Sequence, residues 1–268
     1  MAMAKTRKRK KRKRGQSGEI VRRLKQIAVL TAILLLTIYV PSLFWNRPGV
    51  ESGDKVPKGD YLYGIDVSHH NGGRFVWDSL RVMTDNRGRT VRSISEAYDI
   101  KPVSFVFIKA TEGVSMKDSD FRKNWKESGK AGLRRGAYHF FRSSKDGNDQ
   151  AAHFIATVGD LSARDLPPVL DIESIHLGCS RELLNERALQ WLRAVEKRYG
   201  RKPIVYSGAS FARDNLSREI TDNYEIWIAH YGTSSPAFDG WTYWQFTDKA
   251  VVYGVPGHVD LSVRKVRK

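Results

Sequence analysis

Cysteine is nearly absent from this 268-residue chain, with Cys179 the single one. One cysteine cannot close an intramolecular disulfide, and no Cys/His cluster carries zinc-ligand spacing, so a disulfide framework and a structural zinc are not expected. Nothing around Cys179 suggests a reactive thiol, and it reads as a structural residue. Acids are also scarce, 29 against 46 Lys and Arg, for a formal charge of +17. Such an excess suggests a nucleic-acid binder. Its distribution points elsewhere: residues 1–25 hold 12 Lys/Arg and one acid, Glu19, leaving +6 for all the rest. The basicity belongs to a tail, and no nucleic-acid partner is expected for the remainder. Outside that tail there is no low-complexity tract, and nowhere is there an internal repeat.

Long apolar runs are missing, with one exception. Ile27–Trp45 (IAVLTAILLLTIYVPSLFW) carries no charge over 19 residues, close to the roughly 20 that cross a bilayer as a helix. Eight consecutive Lys/Arg, Arg7 to Arg14, and then Arg22, Arg23 and Lys25 precede it. The positive flank keeps the N-terminus cytoplasmic and sends the rest of the chain across the membrane. No small-x-small cleavage site and no lipid-attachment cysteine follow the run, which favours an uncleaved anchor over a signal peptide. The expected organisation is a basic cytoplasmic tail (1–25), a transmembrane helix (26–45), a Gly/Pro-rich linker (46–60) and a globular domain (61–268).

That domain has enough apolar residues for a sizeable core, 41% of the chain with seven Trp. Short runs rich in Val, Ile, Phe and Tyr read as strands: 61–67, 102–110, 134–141, 167–173, 203–208, 224–230 and 241–246. Helical patterns lie between several of them, at 120–130, 147–158 and 181–199. The last repeats Leu183, Leu184, Ala188, Trp191, Leu192 and Val195 at helical spacing, with Gly200 as a stop. Strand–helix alternation implies a parallel sheet. About 200 residues suit a modified, incomplete TIM-like (β/α) barrel. Helical pattern thins out after residue 215, and residues 78–101 form a charged excursion between the first two strands.

The stretch Leu166-Pro-Pro-Val-Leu-Asp171-Ile-Glu173 is an apolar strand ending in Asp-x-Glu. Residues i and i+2 of a strand point the same way, so Asp171 and Glu173 share a face at a carboxyl end, where barrel enzymes do their chemistry. Neighbouring carboxylates cannot both ionise freely, and the raised pKa of one leaves a proton available for general-acid work. Glycoside hydrolysis needs this pairing of an acid with an anion. Spacing alone leaves open two solvated carboxylates or a magnesium site. Asp66 and Asp260 argue for catalysis, because both sit in strand-like surroundings that otherwise exclude a charge.

Together, GIDVSHHNG (64–72), FVFIKATEG (105–113), AGLRRGAYHFF (131–141), LPPVLDIE (166–173), PIVYSG (203–208), IWIAHY (226–231), YWQF (243–246) and HVDLS (258–262) resemble the glycoside hydrolase family 25 lysozymes, the N-acetylmuramidases. The resemblance runs in order through nearly all of the chain after residue 60. It implies hydrolysis of the β-1,4 bond between N-acetylmuramic acid and N-acetylglucosamine in peptidoglycan, with no cofactor. By position, Glu173 would be the general acid, Asp171 would polarise the 2-acetamido group or stabilise the transition state, and Asp66 and Asp260 would complete the cluster. Asn71 departs from the family's usual Gln. The excursion at 78–101 is longer than the family's first connection and is expected to reshape one end of the groove. The competing reading is a non-catalytic wall-binding module.

Around the acids, Tyr138, Tyr206, Trp244 and Gln245 are candidate substrate contacts, through aromatic stacking on sugars and hydrogen bonding to an acetamido group. Trp227 and Trp241 read as core. His69 and His70 are adjacent, so they point to opposite faces of a strand, and a loop-structural role is expected rather than a metal site. His139 is expected to be packed or hydrogen-bonded. Lys109 and Glu112 suit an ion pair at the groove rim without a catalytic role.

Overall fold

A computed structural model describes residues 52–72 and 74–266. The expected basic tail and transmembrane helix lie outside the described residues. Among the described residues no helix is long and apolar enough to cross a membrane.

The inherent alternation of the strand sequences closes a barrel. Its eight strands are β2 (Tyr61–Val67), β5 (Asp99–Glu112), β7 (Arg134–Phe140), β8 (Val169–Asp171), β9 (Ile204–Gly208), β10 (Glu225–Ala229), β11 (Trp241–Val251) and β12 (His258–Lys265). They pair in the order β5-β2-β12-β11-β10-β9-β8-β7, and β7 returns to β5. The ring of strands is therefore complete, and the expected incompleteness lies in the helices alone. All neighbours are parallel except β12, which is antiparallel to both β11 and β2.

Side chains of odd and even parity separate cleanly. Phe105, Phe107, Val169, Ile204, Tyr206, Trp227 and Tyr243 pack inside the barrel. Val106, Ile108, Leu170, Val205, Ile226, Ile228, Leu261 and Val263 face the outer core. Glycine makes the inner layer possible: a Cβ on Gly64 would meet the Phe105 ring at 2.2 Å, and one on Gly136 the Phe107 ring at 2.6 Å. The inner layer fills the lower barrel, so polar groups at the carboxyl ends of the strands stand on an apolar floor.

The outer layer is uneven. Helices α1 (Phe121–Lys130), α2 (Gly147–Val158) and α3 (Arg181–Tyr199) follow β6 (Met116–Lys117), β7 and β8. α3 starts at Ser180, whose hydroxyl accepts from the Leu183 N–H, and stops at Gly200 in the left-handed region (φ 65°). Short helices α4 (Ala209–Asn215) and α5 (Arg218–Thr221) follow β9, and the described chain has no helix after them. What is incomplete is the helical ring, and the excursion stands in for it. Its strands β3 (Arg81–Thr84) and β4 (Arg89–Val91) form a hairpin, with β3 on the amino-terminal end of β5. Leu80 and Val82 of this segment join Ile65, Val252, Val255 and Leu261 in the outer core. The segment expected as linker also differs: Ser52–Lys55 is a strand, β1, antiparallel to β4.

Candidate active site

The inward positions of the strand ends meet in an open cleft of about 530 Å³. Asp66 from β2, Asp171 from β8, Glu173 just beyond it, and Asp260 from β12 all line it. Asp66 and Asp260 are direct cross-strand partners. Asp171 and Glu173 share a face, as the i, i+2 rule requires. A second cavity of about 400 Å³ continues past Glu173 and shares Glu173, Tyr206 and Tyr231 with the first. Glu173 thus stands where the two lobes of the groove join, exposed, while Asp171 behind it is buried.

Burial dominates the electrostatics. It drives Asp171 well above the usual carboxylate range. The negative charge of Glu173 and a hydrogen bond between the two carboxyls add to the rise, and the Lys109 cation opposes it. Asp171 Oδ1 is buried without a hydrogen-bond partner. Asp66 is also pushed up by burial and by Asp260, against a hydrogen bond from Gln245 that pulls it down. Burial, with Asp248 beside it, lifts Asp260 to about 6.

Of the expected substrate contacts, Tyr138, Tyr206 and Gln245 line the cleft and Trp244 does not. Trp244 is buried in the outer core against Trp241 and Phe246, and its indole N–H donates to the His230 carbonyl at 2.8 Å. The reason is parity: consecutive strand residues face opposite ways, so Trp244 and Gln245 cannot both reach the cleft. Trp227, expected in the core, is buried but also forms part of the cleft wall, edge-on to Tyr206 with centroids 4.6 Å apart. Gln245 is buried rather than free to meet a sugar.

Lys109 and Glu112 form the expected ion pair at 2.8 Å, and Arg142 joins them on Glu112. The three make a cationic rim opposite the acids, closed by Phe140 beneath Lys109 and Arg142. His69 anchors its loop through Asp118, 2.6 Å away, while His70 lines the cleft. His139 is fully buried between Thr111 and Gln150, and burial depresses its pKa to about 3. The described residues contain no cluster of His, Cys, Asp and Glu suited to a metal ion. None of residues 78–101 lines either lobe, which corrects the expectation that the excursion reshapes the groove.

Sequence reasoning missed Tyr231, Asp248 and Arg142. Tyr231 was within reach, since Trp227, Ala229 and Tyr231 keep one parity along and just past β10. Asp248 was not, because one register shift in β11 precedes it and a second spans it, breaking the alternation.

The sequence and the fold have counterparts. The Glycosyl hydrolases family 25 model matches residues 65–255. The YegX protein of Escherichia coli K12 is 40% identical over 230 residues, covering 85% of this chain and 78% of its own. Lysozyme M1 of Streptomyces globisporus is 34% identical over 213 residues, covering 74% of this chain and 66% of its own. The crystal structure of the bacterial lysozyme from Streptomyces coelicolor superposes with a TM-score of 0.64 at 32% identity, over 76% of this chain and 92% of that one. The chain belongs to glycosyl hydrolase family 25 and is a glycosidase.

Proposed function

We propose that the chain cleaves the β-1,4 bond between N-acetylmuramic acid and N-acetylglucosamine in peptidoglycan, with Glu173 as the general acid. The observation that carries this reading is the position of Glu173: an exposed carboxyl shared by two groove lobes, with the buried Asp171 lining the same cleft. A polymer laid along both lobes has its scissile bond beside that carboxyl. Glu173 protonates the leaving oxygen, and Asp171, Asp66 and Asp260 face the positive charge that develops at the anomeric carbon. In this reading Asp171, which lines the cleft, accepts from the amide N–H of a 2-acetamido group and so orients it. All four carboxylates are retained in one cleft, which argues against a module that only binds the wall.

The uncharged run at 27–45, behind its basic flank, supports a single-pass anchor with the catalytic domain on the extracytoplasmic side. A reporter fused after Lys268 tests this reading. Signal on the cytoplasmic side overturns it.

The enzymatic reading is tested by release of new reducing ends from purified peptidoglycan. Glu173→Gln keeps the shape and removes the proton, and a loss of about 10²–10⁴ in kcat is expected. Activity equal to the parent removes Glu173 from the acid's role.

A further inference from the structure

Behind the acids runs a chain of buried hydrogen bonds that the acid/base scheme does not use. The hydroxyls of Tyr206 and Tyr231 both donate to Gln245 Oε1, at 2.7 and 2.6 Å. Gln245 Nε2 donates to Asp66 Oδ2 at 2.9 Å. Both lone pairs of the amide oxygen are filled, so the amide nitrogen has to face Asp66. That orientation suits an ionised Asp66, which can only accept. A protonated Asp66 donating to the amide would require the amide to turn over and both phenols to accept instead.

We propose that Gln245 is a positioning residue: it acts on the reaction only through Asp66, orienting that carboxyl beside Asp260 and favouring its ionised form, with its own orientation imposed by Tyr206 and Tyr231. This rests on the reading of the cleft as a glycosidase site. Asp66 needs such a partner because its other neighbours oppose its charge or do not donate to it. Asp260 faces it from β12, Asp171 and Glu173 stand at the end of β8, and the phenol of Tyr138 on β7 makes no hydrogen bond to it. Lys109, the cation of the cleft on β5, is committed to Glu112. Without the amide, the anion at Asp66 loses its one charge-assisted hydrogen bond among the described residues.

The test compares the parent with Gln245→Met, which keeps length and burial but cannot donate. The expected result is a 10- to 100-fold lower kcat, a KM within about twofold of the parent, and an acid limb of the kcat/KM profile moved to higher pH by about one unit. Carboxyl ¹³C titration of Asp66 in the resting protein reads the same upward shift without turnover, so it stands even if the parent releases no reducing ends and the glycosidase reading of its substrate fails. If Gln245→Met does not fold, Gln245→Glu retains the shape and places a second carboxyl on Asp66, and the same shift is expected to be larger. An unmoved Asp66 titration in a folded variant overturns the proposal. So does a KM that rises with kcat unchanged, which would put Gln245 on the sugar itself.

Discussion

At the scale of single residues, the cleft trades stability for charge. A carboxyl whose folded pKa lies above its unfolded value takes up protons on folding. Its contribution favours the folded state at low pH and becomes a penalty as pH rises through that window. For Asp260 the window runs from the ordinary value of 3.8 to about 6. Asp260→Asn is therefore expected to raise unfolding free energy at pH 7 by about 1–2 kcal/mol and to give no gain at pH 4, while lowering activity. Denaturant titrations at the two pH values check this, and equal effects at both contradict it. Buried His139 has the opposite sign: its pKa is depressed from 6.5 to about 3, so it contributes stability at neutral pH that is lost as pH falls through that range. Of these residues, the four acids were legible in the sequence because charges inside apolar runs stand out. Tyr231 was legible only by carrying the alternation past the strand end.

At the scale of elements, alternation decides what each strand offers to the cleft and what it offers to the helices. β11 presents Tyr243 and Gln245 inward and Trp244 and Phe246 outward. Trp244→Phe is expected to cost about 1–3 kcal/mol, through lost packing and the lost bond to His230, and to leave KM unchanged. A raised KM would return Trp244 to the substrate. On β2 the constraint is volume. Gly64→Ala drives a methyl into the Phe105 ring, which is itself held edge-on by Phe107 and Tyr243. An overpacking cost of about 1–3 kcal/mol is expected from thermal or chemical unfolding. The long helices were legible in the sequence almost to the residue, because α3 has its cap, apolar stripe and terminal glycine in order. The hairpin of β3 and β4 was not. Its few apolar residues face an outer wall that exists only once the barrel has closed.

At the scale of the whole molecule, charge and chemistry are segregated along the chain. One compact unit spans Glu51–Lys268, and the basic residues 1–25 belong to the sequence before it. Deleting residues 1–25 is expected to abolish salt-dependent binding to polyanions and to leave the rate of glycan hydrolysis within about twofold. Binding that survives the deletion would place a polyanion site on the folded unit.

The sequence by itself determined most of the barrel strands, the main helices, the candidate carboxylates and the family resemblance, because those depend on local periodicity and on charges set within apolar runs. Only the tertiary structure decided which aromatic residues face the cleft, that the ring of strands closes, and that the excursion covers the outer wall. It also decided that Asp171, not its exposed neighbour, is the buried member of the pair. Each of these follows from which strand lies beside which, and pairing between segments far apart in the chain leaves no period in the sequence to read.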